Sequence, residues 1–400
     1  MNSSEPLWED LEERERFRHG VLISLGAAGS EVDEILGYGC SRFVDVQAPS
    51  LPLDDEPFVP AWHDYVEEAA ERGAFAVLRD KLVQLRFPVR RGISRDPGYR
   101  AATLRGRLPG FEKTPLELNR PEGLKLYLHE TPVGRIPVLI VQDRNDFSAL
   151  LCALAKRNEP HPVPESMGAT LISGLNNWDR IARYRRVWKA AHPAETAGGG
   201  WPVEFSRLVA RKELYQDRLI ILSEGGYSGV SGERLGMPDD EWLKTSRVIR
   251  LEHECVHYFT KRVFGSMNNG VHDEFIADYA GIAAAAGAFR SDWFFLFMGL
   301  EDFPNYRRGG RLQNYLGELR CDTRPFTILM RMVKEAAENV ENFETRTRAA
   351  SGSGWPARTD MLLALASLNL EELASTDGER LIEGALTAVR KRRAPNLKHP

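Results

Sequence analysis

Several features of membrane-bound, secreted and disulfide-stabilised proteins are missing from this sequence. The 400 residues include only four cysteines, which are scattered and form no C-x-x-C pair. A disulfide framework is therefore not expected, and a reducing cytoplasm is the simpler interpretation. The longest apolar run, at 293–300, is too short to cross a bilayer, and the acidic, polar start shows no signal peptide. We therefore predict a cytoplasmic protein without a membrane partner.

Charge of one sign is also lacking, because the net charge is only −4. No global field would attract nucleic acid, which is not expected as a partner. The local exception is an arginine-rich stretch, Arg86–Arg107, which contains seven arginines. This stretch is either a solvated surface segment or a contact for a phosphate or another polyanion.

Three common catalytic signatures are absent as well. The sequence contains no G-x-x-x-x-G-K-[ST] loop and no G-x-S-x-G nucleophile elbow, and its glycine clusters lack the spacing of a dinucleotide site. Nucleotide chemistry of the P-loop type and serine-hydrolase chemistry of the elbow type are therefore not predicted.

The composition, 42% hydrophobic and 28% charged, is typical of a globular protein. Apolar spacing predicts an α+β fold that is predominantly helical, with a β-rich middle. Strands are expected at 124–129, 136–141 and 218–222, the first two as a hairpin or adjacent strands. We predict a mainly helical region at 1–115, a middle region at 116–300, and a helical region at 301–400.

The most informative segment is 247–281, which contains His253-Glu254-Cys255-Val256-His257. This is an H-E-x-x-H motif on a predicted helix with no internal proline or glycine. Two histidines at i and i+4 lie on one face and can bind one metal ion together. Glu254 can then act as a general base on a metal-activated water.

Zinc held by two histidines needs a third protein ligand and an open position for water. Glu274 follows His257 by seventeen residues, a spacing that suits a helix, a reversal at 265–270 and a second helix running back. His272 and Asp273 are rival ligands at this point. Asp278, one turn beyond Glu274, can accept the free N–H of a liganding histidine.

H-E-x-x-H followed by E-x-x-x-D resembles the gluzincin, or thermolysin-like, branch of zincin metallopeptidases. The resemblance covers only about residues 247–281. It implies that His253, His257 and Glu274 bind zinc, that Glu254 is the general base and that Asp278 orients a ligand. The metzincin pattern does not fit, because Thr260 and Val263 stand where it requires glycine and histidine.

The resemblance also implies a zincin-like catalytic core within 116–300, with a small mixed sheet preceding two site helices. In such folds an edge strand pairs with an extended peptide, and the strand at 218–222 is our candidate for part of that sheet. Relatives also use a downstream His or Tyr to stabilise the transition state. No motif identifies that residue here, and the candidates are Tyr227, His272, Tyr279 and Tyr306.

Each site residue also has a purely structural interpretation. The two histidines can be buried, hydrogen-bonded core residues, and Glu274 can complement a helix dipole. Asp278 can form a salt bridge with Arg250 or Lys261. Cys255 lies off the histidine face and is expected in the core.

The favoured function is a zinc-dependent hydrolase, a metallopeptidase acting on a peptide or protein. One alternative is a zincin-like protein without peptidase activity, with a biosynthetic or processing role or as a metal-stabilised scaffold. Another is a polyanion-binding module that uses Arg86–Arg107, with a structural metal.

Overall fold

A computed structural model describes residues 10–38, 50–107, 115–266, 270–347 and 355–393. In these residues the chain forms the following helices: α1 (Leu11–Ser24), α2 (Ser30–Tyr38), α3 (Val59–Arg72), α4 (Ala74–Lys81), α5 (Pro97–Arg105), α6 (Arg144–Ala155), α7 (Trp178–Ala191), α8 (Pro193–Ala197), α9 (Trp201–Ala210), α10 (Asp239–Val263), α11 (Val271–Ala286), α12 (Ser291–Met298), α13 (Arg324–Thr347), α14 (Trp355–Ala366), α15 (Leu370–Ala374) and α16 (Gly378–Arg393).

The strands are β1 (Lys125–His129), β2 (Ile136–Val141), β3 (Ala169–Asn176) and β4 (Gln216–Ser223). They form one mixed sheet in the order β1-β2-β4-β3, in which only β2 and β4 run parallel. The chain is thus mostly helical with a small mixed sheet, which confirms the predicted α+β class. No described helix is both long and apolar enough to cross a membrane.

The chain divides into two compact units, one of 54–225 and one that combines 1–53 with 226–400. The sheet belongs to the first unit, and α10 and α11 belong to the second. The division therefore cuts the predicted middle region, 116–300, at Gly226. It also differs from the boundaries that we placed after residues 115 and 300.

The unit 54–225 is built around the sheet. Strand β2, with the sequence IPVLIV, is buried along its whole length, as expected for an inner strand with continuous apolar residues. Its hairpin with β1 was predicted, as was β4. Strand β4 is an inner strand, so the edges of the sheet are β1 and β3.

Strand β3 was not predicted. The apolar residues of its segment do not alternate regularly along the sequence. The irregularity is a register shift between Ser173 and Leu175 in the pairing with β4. Such a bulge changes which side chains face the core and hides the period of two.

The second unit joins the two ends of the chain. Arg14 of α1 forms a 2.5 Å ion pair with Glu372 of α15, and Arg18 lies 3.0 Å from Glu371. Both glutamate side chains are fully buried. Because a buried carboxylate needs a partner, these pairs make α1 part of the C-terminal helical unit.

Helices α10 and α11 pack closely against each other. At Gly281 an added Cβ would lie 2.7 Å from the carbonyl oxygen of Ile249 and 3.1 Å from its Cγ2 atom. The glycine therefore sets how near α11 can approach α10, and with it the separation of the side chains between them.

We expect Gly281→Ala to destabilise the protein by about 1–3 kcal/mol, because backbone must move to admit the methyl group. The matched control is Gly20→Ala in α1, where an added Cβ meets nothing within 4 Å. The control should be neutral or stabilising by about 0.5–1 kcal/mol, since alanine favours helix. Thermal unfolding of both variants checks this, and equal midpoints would contradict the close packing.

Candidate metal centre

Helix α10 brings the H-E-x-x-H residues into a buried position. His253, Glu254 and His257 are 7%, 7% and 4% exposed. The helix carries Asp239, Asp240 and Glu241 in its first turn and Lys261 and Arg262 in its last, the arrangement that the helix dipole favours. The two imidazole rings lie one turn apart in an edge-to-face arrangement, with their Nε2 atoms 3.0 Å from each other.

Helix α11 adds Glu274 to the histidines. Its Oε2 lies 3.4 Å from His253 Nε2, and its Oε1 lies 3.4 Å from His257 Nε2. Ligand-type atoms of the three side chains all lie within 4.8 Å of one another. The three predicted ligands therefore converge at one point. Residues 267–269, the centre of the expected reversal, lie outside the described chain.

The outer nitrogen of each histidine faces a carboxylate. Asp278 Oδ1 lies 2.8 Å from His253 Nδ1, as predicted for an orienting residue. Asp273 Oδ2 lies 3.2 Å from His257 Nδ1. The sequence leaves Asp273 as a rival ligand, but in the structure it lies next to the outer nitrogen of His257, whereas Glu274 lies next to the inner one. Carboxylates in this position fix the tautomer and ring orientation of a liganding histidine.

These contacts shift the pKa values of the side chains in the cluster. Burial alone would lower the pKa of His257, but Asp273 and Glu274 outweigh it and raise this pKa well above the ordinary range. Burial alone would raise the pKa of Glu274, but the two histidines hold it well below its usual value. Glu274 therefore remains ionised, and its carboxylate lies between the Nε2 atoms of His253 and His257.

Of the four candidate transition-state stabilisers, only Tyr227 lies at this cluster. Its hydroxyl donates to Asp278 Oδ1 at 2.6 Å and lies 3.0 Å from His253 Nδ1. Tyr279 donates to Glu344, and Tyr306 donates to the carbonyl oxygen of Gly310. His272 Nε2 lies 3.2 Å from the carbonyl oxygen of Leu365.

Sequence reasoning did not find Arg311, which begins a 3₁₀ helix at Arg311–Tyr315. Its guanidinium donates to Asp278 at 2.7 Å, to Glu274 at 3.4 Å and to the Tyr227 hydroxyl at 2.5 Å. We had considered Arg250 and Lys261 as partners of Asp278, but Arg311 has that position, and Arg250 donates to the carbonyl oxygen of Gly226. Arg311 lies thirty-three residues beyond Asp278 without a motif, so no local pattern could reveal it.

Cys255 is fully buried on α10, in agreement with its predicted place in the core. Burial raises the pKa of its thiol well above the ordinary value, so the group stays protonated. A protonated thiol is a poor ligand and a poor nucleophile.

A protein-family model matches residues 20–377. The chain belongs to DUF7005, a family of unknown function. No curated protein and no solved structure matches the chain. In this DUF7005 member, every residue of the cluster lies inside the segment that defines the family.

For this DUF7005 protein we expect Arg311→Leu to destabilise the metal-free form by about 3–5 kcal/mol, because it leaves Asp278 buried without its cation. The matched control is Arg308→Leu, in the same segment, whose side chain is 88% exposed beside Asp322. The control should change stability by less than about 0.5 kcal/mol. Urea unfolding in the presence of a chelator measures both, and equal effects would contradict the role given to Arg311.

Proposed function

We propose that this protein is a zinc-dependent hydrolase, specifically a metallopeptidase of the gluzincin type. The observation that carries the proposal is the convergence of His253, His257 and Glu274 within 4.8 Å, beside the buried Glu254. Two imidazole nitrogens and one carboxylate are a ligand set of catalytic zinc, which leaves a fourth position for water.

The donor set fits a divalent ion in its chemistry as well as in number. Both Nδ1 atoms lie near carboxylates, so a histidine that gave up one proton to a bound metal would keep the other on Nδ1 and present its Nε2 lone pair toward Glu274. Two nitrogen lone pairs 3.0 Å apart repel unless a proton or a cation lies close to them. A zinc ion held by these residues would supply a water of lowered pKa and polarise a substrate carbonyl.

The remaining chemistry belongs to side chains of the chain. Glu254 accepts the proton of the attacking water on its carboxylate and passes it to the nitrogen of the departing amine. Asp278 and Asp273 hold the imidazole rings in place, and Arg311 holds Asp278. The substrate in this proposal is a peptide or protein, and the reaction is hydrolysis of an amide bond.

We also propose a cytoplasmic location. Among the described residues, Cys152, Cys255 and Cys321 are free thiols, and the first two are buried. Free thiols agree with a reducing compartment. The fourth cysteine, Cys40, lies in the part that is not described.

The general base is tested by Glu254→Gln. The amide keeps the size of the side chain but cannot accept a proton, so we expect zinc content to remain and peptide hydrolysis to fall by at least about a hundredfold. The control is Glu252→Gln on the same helix, where the carboxylate pairs with Arg358 at 3.3 Å. Cleavage of a panel of unstructured peptides is measured by mass spectrometry. A Glu254→Gln protein as active as the wild type would overturn the mechanism.

The metal is tested by Glu274→Ala. We expect about one zinc per wild-type chain and a large loss of zinc affinity in the variant, since one of three protein ligands is removed. Glu344→Ala is the control, because Glu344 is a partly buried acid that accepts a hydrogen bond from Tyr279 and does not contact the histidines. Elemental analysis and competition with a chromophoric chelator give both values. Zinc binding without cleavage of any peptide would instead favour the metal-stabilised scaffold.

A further inference from the structure

The unit 54–225 contains a cavity of about 610 Å³ that the proposed hydrolase does not use. Its lining combines three aromatic residues with an unusual number of cations. The residues on which the argument rests are Arg105, Arg107, Arg185, Trp178, Trp201 and Phe205. The volume lies within the range of small-molecule sites.

The aromatic residues form one continuous wall. Trp178 stacks on Phe205 with ring centroids 6.1 Å apart, and Trp201 lies 5.8 Å from Phe205. The Arg185 guanidinium is 5.1 Å from the centre of the Trp201 ring. Such a wall presents flat π-faces on which a planar heteroaromatic ring can stack.

Arg105 and Arg107 belong to a defined chain reversal at the end of α5. Gly106 has a left-handed conformation, φ 60°, and its N–H and that of Arg107 donate to the carbonyls of Ala102 and Ala101. A Cβ at Gly106 would lie 2.2 Å from the Trp178 ring. The indole Nε1 of Trp178 donates to the carbonyl oxygen of Thr103 at 2.7 Å. Only glycine fits here, and the indole fixes the segment that carries Arg105 and Arg107.

The arginines of this group have no acidic partner within the described part of the chain. The two carboxylates of the lining, Asp80 and Asp179, pair with Arg72 and Arg183, which do not line the cavity. The lining cation Lys81 pairs with Glu68 at 2.7 Å. The cavity therefore has an excess of positive charge that its own carboxylates do not neutralise.

We propose that this cavity binds a nucleoside phosphate, with the base stacked on the aromatic wall and the phosphates bound by Arg105, Arg107 and Arg185. Guanidinium groups bind phosphate oxygens in a fork, and indole rings stack with any base. The aromatic wall and the limited volume of the cavity suit one nucleotide better than an extended polyanion, so the geometry favours a single nucleotide. The site gives a function to the arginine-rich stretch and is independent of the metal centre.

The test is isothermal titration calorimetry of the full-length protein with ATP, inorganic triphosphate and adenosine. We expect ATP to bind at least about tenfold more tightly than either fragment, because each fragment occupies half of the site. Triphosphate binding as tight as that of ATP would overturn the proposal, as would no measurable ATP binding. Displacement of ATP by a short single-stranded DNA at far lower concentration would also overturn it, in favour of a nucleic-acid surface.

The matched variants are Arg105→Ala/Arg107→Ala and Arg91→Ala/Arg100→Ala. Both remove two exposed arginines from the same stretch, but only the first pair lines the cavity. We expect the first pair to weaken ATP binding by about tenfold or more and the second by less than about twofold. Trp201→Leu should reduce ATP affinity to that of triphosphate, whose own affinity should not change. Equal losses of ATP affinity in the two double variants would show that ATP binding depends only on the net charge of the stretch, and this would overturn the proposed site.

Discussion

The candidate metal centre depends on one constraint, the burial of several ionisable side chains between α10 and α11. Asp273 and Asp278 are fully buried, and Glu274 is 7% exposed. A carboxylate in this environment must have a charged or hydrogen-bonding partner, because desolvation without one costs several kcal/mol. Each of the three has such a partner nearby in a histidine or in Arg311. The positions of the histidines therefore follow from the same contacts that let the helices pack.

The charges of the cluster leave it with an excess of negative charge. Asp273, Glu274 and Asp278 contribute three negative charges and Arg311 contributes one positive charge, which leaves a difference of two. Protons on His253 and His257 reduce this excess, and their pKa values are raised accordingly. A divalent ion between the Nε2 atoms would serve the same purpose by replacing those protons. Metal affinity at such a site rises as protons leave the ligands.

The sequence predicted those parts of the site that local geometry determines. Helical spacing alone places His253 beside His257, and it places Asp278 one turn beyond Glu274. The role of Asp273 depends on the rotation of α11 relative to α10, which the spacing of residues in the sequence does not reveal. Arg311 comes from a distant 3₁₀ helix, so only the tertiary structure reveals it. The grouping of α1 with the C-terminal helices likewise involves ion pairs between α1 and α15, which are far apart in the sequence.

The contacts of Tyr227 argue that it positions a ligand and does not stabilise a transition state. Its one hydroxyl proton is donated to Asp278, and its oxygen accepts from Arg311. Burial, the largest cause, raises the pKa of this phenol well above its ordinary value, so the proton is retained. The hydroxyl also lies beside Nδ1 of His253, on the side of the ring away from Glu274. A group so placed can set the orientation of His253 but has no free proton for a developing oxyanion. In the proposed hydrolase, a zinc ion held by His253, His257 and Glu274 would supply positive charge to that oxygen.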